Sequence, residues 1–182
     1  MNMFCYQCEQ TAKGTGCTAH GVCGKDPETA ALQDLLVYAA KGIAMYARRA
    51  RDLGATDHEV NVFTVQALFA TLTNTNFDAG ALRQFVLKAA EMRDRARRLY
   101  EEACAKARQV PEQLGGPAAF GPADDLDEMI RQGEAVTIHS RIEELGDTVA
   151  GLQELIVYGL KGASAYADHA QILGEEDRKS VV

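Results

Sequence analysis

Tryptophan is missing from these 182 residues, basic residues are outnumbered by acidic ones, 19 to 26, and no apolar run approaches membrane-spanning length. Each absence excludes something. A formal charge of −7, a pI near 5.1 and no tryptophan argue against nucleic-acid binding as the main role. The missing apolar run argues against a membrane protein, and residues 1–25 hold no stretch of signal-peptide type. The chain is therefore read as soluble and cytoplasmic, in a compartment that keeps thiols reduced until metal binds. Its hydrophobic content of 47% is enough for one domain or a domain with a satellite bundle.

Against that background, four of the five cysteines crowd into the first 23 residues as Cys5-x2-Cys8-x8-Cys17-x5-Cys23. Four thiolates in one short loop can wrap a single metal centre. Gly14, Gly16, Gly21 and Gly24 stand among them, and without a Cβ they let the backbone curl so that N–H groups face sulfur. Phe4, Tyr6 and Val22 are candidates for an apolar shell. Soft ligands of this kind select zinc or an iron–sulfur cluster. Structural zinc sites use two tight Cys-x2–4-Cys knuckles, whereas here only the first pair is tight. The asymmetry favours a cluster, with zinc and disulfides as the alternatives.

The segment MFCYQCEQTAKGTGCTAHGVCGK, residues 3–25, resembles the N-terminal cluster motif of the hybrid-cluster (prismane) proteins, commonly called hydroxylamine reductases, including Gln7, Thr11 and Gly24-Lys25. The similarity continues through LQDLLVYAAKGIAMYARRARDLG, VFTVQALFATLTNTNFD and LIVYGLKGASAYADHAQILG, and is strongest at residues 3–78 and 152–174. It implies that Cys5, Cys8, Cys17 and Cys23 ligate a [4Fe-4S] cubane, a wider spacing in other members going with a [2Fe-2S] form. For the intact protein it implies reduction of hydroxylamine to ammonia and water, fed by an electron-donor redox protein, with reduction of nitric oxide to nitrous oxide as a rival activity. Members of the family are considerably longer. Their hybrid iron–sulfur–oxygen cluster, where reduction occurs, is held by a histidine, glutamates and cysteines in later α/β domains. On this resemblance the chain is an N-terminal electron-relay portion with no catalytic residues of its own. A non-catalytic helical metal-binding module, loaded with zinc or a cluster, is the reading of a different class.

After residue 25 the pattern is helical almost everywhere. Asp26-Pro27 supplies a cap and a first-turn proline, and Leu32, Leu35, Leu36, Ala39, Ile43, Tyr46, Ala47 and Ala50 recur at helical spacing up to a stop at Gly54. Thr56-Asp57-His58-Glu59 reads as a capping box for a helix with Val62, Val65, Leu68, Phe69 and Leu72 as its apolar set, ending at Thr73–Asn76. A third helix is expected from about Asp78 to Gln109, with Leu82, Phe85, Val86, Ala89, Met92, Ala96 and Leu99 on one face. The expected architecture is all-α: a cluster loop over 1–25, an up-down three-helix bundle over 26–109, a linker with a short helical segment over 110–146, and the first helix of a second bundle over 147–182. Within the linker, Val110–Ala123 is rich in Gly and Pro, and the short helix falls on Leu126–Gln132.

That second bundle is inferred from an internal repeat. Residues 32–54 match residues 152–174 at an offset of 120, with 12 identities in 23 positions. Val181 and Val182 fall where the first copy begins its second helix, so the repeat is expected to be cut short. Leu152, Leu155, Ile156, Leu160, Ala163, Tyr166, Ala167 and Leu173 form a stripe that needs covering, by back-packing on the first bundle or by pairing in a homodimer, unless the tail beyond Gly146 is mobile. The remaining residues attract blander readings. Cys104 is expected in the core, His20, His58, His139 and His169 as separate surface or capping residues, and Glu143 and Glu144 on a solvated face. The arginines at 48, 49, 51, 93, 95, 97 and 98 are read as solvated helix faces rather than as a docking patch for an acidic partner.

Overall fold

The computed structural model describes residues 3–175, and over that range the chain is all-α, with six helices and no sheet. Helices α1 (Pro27–Asp52), α2 (His58–Ala70) and α3 (Ala79–Ala107) share one core, followed by α4 (Leu126–Ala135), α5 (Ile138–Leu145) and α6 (Asp147–Ile172). Short 3-10 turns lie at Ala12–Gly14 and Gly116–Ala119.

The first three helices begin at aspartates that accept from the N–H three residues on: Asp26 from Thr29 at 2.6 Å, Asp57 from Val60 at 3.2 Å and Asp78 from Ala81 at 3.0 Å. Each satisfies a donor that the first turn leaves unpaired. Pro27 follows its cap, where a missing N–H costs nothing. Leu32, Leu35, Leu36 and Ile43 of α1 and Leu82, Val86 and Ala89 of α3 are fully buried against one another. Cys104 is buried with them, as its apolar setting predicts. The arginines expected on solvated faces are largely engaged locally: Arg48 with Asp52, Arg49 with Glu112, Arg95 with Asp57 and Glu59, and Arg97 with Glu101.

In α2 the inward face differs from the expected one. Val60, Phe63, Ala67 and Ala70 are buried, whereas Val62, Val65, Leu68 and Phe69 are half-buried, and Leu72 lies beyond the helix end. The helix is apolar on nearly every side, so spacing alone cannot select a face. Its other side is covered by α6, where the Phe69 and His169 rings meet edge-on with centroids 5.3 Å apart.

Residues 110–123 do not hang free but strap across α1. Ala118 is buried, the Tyr100 hydroxyl accepts from the Glu112 N–H at 3.1 Å, and Gly42 lets the Pro117 carbonyl come so close that a Cβ would overlap it. Gly133 of α4 makes the same close approach to the Ala31 carbonyl. α1 is thus enclosed by α2, α3, α4 and the strap, and buries far more than one stripe. Helix α5 falls in the stretch read as linker. Its Thr137 makes no capping hydrogen bond, and no sequence signal announces it.

α6 is α1 repeated. Its ends, Asp147 and Ile172, lie 120 residues beyond Pro27 and Asp52, and the glycines that follow, Gly54 and Gly174, share a left-handed φ of 80° and 75°. It packs back on the first bundle, but with the face opposite to the one its apolar stripe predicts. Leu152, Leu155, Ile156, Leu160, Tyr166 and Leu173 are 51–81% exposed, while Ala150, Lys161, Ser164 and Asp168 are buried. The polar side turns inward because it finds partners there. Tyr6 donates to Glu154 at 2.5 Å, Arg141 pairs with the same carboxylate, and Lys161 donates to the Thr71 carbonyl at 3.4 Å. Val181 and Val182 lie outside the described residues.

Candidate metal centre

The cysteine loop is closed on itself by short antiparallel pairing. The Cys5 N–H donates to the Cys17 carbonyl at 3.0 Å, the Cys17 N–H to the Cys5 carbonyl at 2.8 Å, and the Met3 N–H to the Thr18 carbonyl at 3.2 Å. Between these limbs the chain turns through Lys13 and Gly14, with φ of 58° and 68°. Gly16, at φ 152°, lies so close under the Phe4 ring that a Cβ would fall 2.6 Å from Cε2. Beyond Cys17 the backbone folds again through Gly21, whose N–H donates to the Lys25 carbonyl at 2.8 Å.

The loop's apolar backing is only partly the one expected. Met3, Cys17 and Ala30 form a small buried cluster joined by Cys5 and Ala12, whereas Val22 is 62% exposed. Phe4 and Tyr6 are half-buried, with ring centroids 5.8 Å apart. Burial grades the four cysteines: Cys17 buried, Cys5 and Cys8 half-buried, Cys23 exposed, all with free thiols.

Two sulfurs already carry donors suited to a thiolate. The Ala12 N–H points at Cys17 Sγ at 3.4 Å, and the Lys25 ammonium lies 3.9 Å from Cys5 Sγ. Such contacts around metal-bound sulfur stabilise its negative charge. The structure brings Cys5 and Cys17 together. Among the described residues no three cysteine, histidine or carboxylate side chains gather closely enough to hold an ion, so Cys8 and Cys23 would have to swing in on loading. The turn from Gly21 to Gly24 that carries the exposed Cys23, with Gly24 at φ 92°, and free thiols throughout make the donor set compatible with that movement.

None of the four histidines joins the loop's sulfurs. All are exposed, His139 lying beside Phe4 with centroids 5.5 Å apart. Glu143 and Glu144 are exposed, as expected.

Behind the loop is a cavity of about 30 Å³, where α1, α5 and α6 converge on Cys5. Its charged lining is Lys25, Asp34, Lys41, Arg141, Glu154 and Lys161. Burial drives the Asp34 carboxyl up to about 6, opposed by Lys161 and reinforced by Glu154. The same burial pushes Lys161 down to about 8, with Asp34 working against it. Burial also lowers Lys41, and Arg141 lowers it further. Burial would raise Glu154, but hydrogen bonds from Tyr6 and Arg141 outweigh it and hold the carboxyl below its usual range. Tyr6 is driven far above the ordinary phenol range by burial and by its bond to Glu154.

Motif reading missed this charged group. A signal for it was available in the repeat, because Asp34 and Lys41 of α1 stand 120 positions before Glu154 and Lys161 of α6. Each copy carries an acid and a lysine seven residues apart, on one side of its helix.

Comparison with known proteins adds to this geometry. Residues 3–182 match the family described as "Prismane/CO dehydrogenase family". The chain is 49% identical over 176 residues to a protein named hydroxylamine reductase from Acidithiobacillus ferrooxidans, a match covering 94% of this chain and 32% of that protein. A protein of the same name from Methanocella arvoryzae is 50% identical over 177 residues, covering 97% and 32%, and one from Rhodospirillum rubrum is 48% identical over 175 residues, covering 96% and 32%. The chain therefore spans about a third of the length of the curated relatives it matches.

Proposed function

The chain belongs to the Prismane/CO dehydrogenase family, and from that premise we propose that Cys5, Cys8, Cys17 and Cys23 hold a [4Fe-4S] cluster serving as the electron relay of a hydroxylamine reductase. The observation that carries this reading is the pairing of Cys5 with Cys17 in a loop that already directs an N–H and an ammonium at their sulfurs. When bound, a cluster of this type supplies one-electron redox chemistry, tuned by hydrogen bonds to sulfur and by nearby charge.

The chain's own residues do the rest. Gly16 admits the Phe4 ring over the loop, and Met3 and Ala30 back Cys17 with apolar surface that keeps water from its sulfur. Ala12 and Lys25 hold negative charge on the thiolates. Four thiolates fill the coordination of the irons, so substrate is not reduced at this loop. Reduction of hydroxylamine is assigned to the longer protein whose first third this chain resembles.

Anaerobic purification followed by iron, zinc and acid-labile sulfide analysis tests the assignment. The expected product is brown, with about four irons and four sulfides per chain. About two irons would replace the cubane by a [2Fe-2S] centre, and stoichiometric zinc would leave only a non-catalytic metal-binding module.

A further inference from the structure

Two buried cations of the cavity bear on the cysteine loop by different routes. Lys25 is 3% exposed, donates to Gln33 Oε1 at 2.5 Å, and lies 3.9 Å from Cys5 Sγ and 5.7 Å from the centre of the Phe77 ring. Gln33 is itself tied to the Asn76 carbonyl at 2.8 Å, so the ammonium is held against sulfur by a fixed chain of contacts. Lys161 is 4% exposed and comes from the other repeat. With its amide turned to satisfy its neighbours, Gln7 accepts from Lys161 Nζ at 3.0 Å and donates to the Thr71 carbonyl at 3.2 Å. Its own carbonyl accepts from Thr73 at 3.2 Å. Gln7 and Tyr6 are the two residues between Cys5 and Cys8, and α6 grips both, one through Lys161 and the other through Glu154.

We propose that Lys25 and Lys161 set the reduction potential of the centre carried by the cysteine loop, as positive charges buried on its Cys5 side that do not ligate it. This rests on the relay reading above. Reduction adds one negative charge to a group already surrounded by thiolates, and in a partly desolvated site a nearby cation stabilises the reduced form more than the oxidised one. The carboxylate of Asp34, whose electrostatic partners include both lysines, offsets part of that effect. The balance of the cavity, four cations against two carboxylates, favours the electron. α6 thereby has a role at the loop although it supplies no ligand: the second copy of the repeat delivers charge to a centre held by residues preceding the first.

The test is a potentiometric titration of the anaerobically purified, iron-loaded protein, with iron content determined in parallel. Lys161→Met should move the midpoint to more negative potential at unchanged iron content, Lys25→Met should move it the same way in the protein that loads, Lys25→Arg and Lys161→Arg should restore it toward the parent value, and Asp34→Asn should move it to more positive potential. The opposite sign of the asparagine variant keeps the test decisive where a methionine variant fails to load. Full iron content with unmoved midpoints in the variants that load, Asp34→Asn among them, would overturn the proposal and leave the relay reading standing. Zinc, or no redox-active iron, in the parent protein would overturn both.

Discussion

Asp34 lies behind the cysteine loop as a carboxylate in a place that disfavours its charge. Held near 6 rather than 3.8, it costs on the order of 3 kcal/mol of folding free energy when ionised. Because the folded state binds this proton more tightly, stability falls as pH rises through the interval between those values. Asp34→Asn is therefore expected to stabilise the protein at pH 7, with the advantage fading toward pH 4, as read from denaturant midpoints across that range. The cysteines divide just as sharply. Cys17→Ser should abolish iron binding, since Cys17 is the buried member of the loop, backed by Met3 and Ala30. Cys104→Ala, in the core beside Tyr100, should lower stability by about 1 kcal/mol and leave metal content unchanged. Loss of iron on replacing Cys104 would refute its placement as a packing residue.

At the scale of helices, the repeat supplies a matched pair of positions. Leu36 and Ile156 are equivalent, yet Leu36 is fully buried and Ile156 is 63% exposed. Leu36→Ala is expected to cost about 2–5 kcal/mol and Ile156→Ala less than about 0.5 kcal/mol, as measured by chemical denaturation. Equal costs would mean that α6 presents its apolar stripe inward after all. The seat of α4 on α1 has its own check: Gly133→Ala pushes a methyl group into the Ala31 carbonyl and should destabilise by about 1–3 kcal/mol. Helix starts were legible because Asp26, Asp57 and Asp78 act locally, through their own first turns. The face of α3 was legible because one stripe dominates it, and that of α1 only in part, because its stripe is buried together with the sides that α4 and the strap cover. α2 was not, being apolar all round, and α6 misled because its inward face is decided by distant partners, Tyr6, Thr71 and Arg141, that no local window contains.

Across the whole molecule, the two copies of one helix converge on the cysteine loop, α1 through Gln33 and Asp34 and α6 through Glu154 and Lys161. The cysteine spacing named the candidate ligands, but the charged cavity behind them emerges only when the copies are brought face to face. The cysteine outside the loop, Cys104, is buried in the core, and on the relay reading four thiolates fill the coordination of the irons within the loop. The 182-residue chain is therefore expected to take electrons from reduced viologen without saturable production of ammonia from hydroxylamine; saturation kinetics separate turnover from the background reaction of hydroxylamine with reduced iron. The most direct test of the central claim is the EPR spectrum of the anaerobically purified chain before and after dithionite. The account predicts a signal that appears on reduction and is lost in Cys17→Ser, whereas a zinc-loaded chain silent in both states would contradict it.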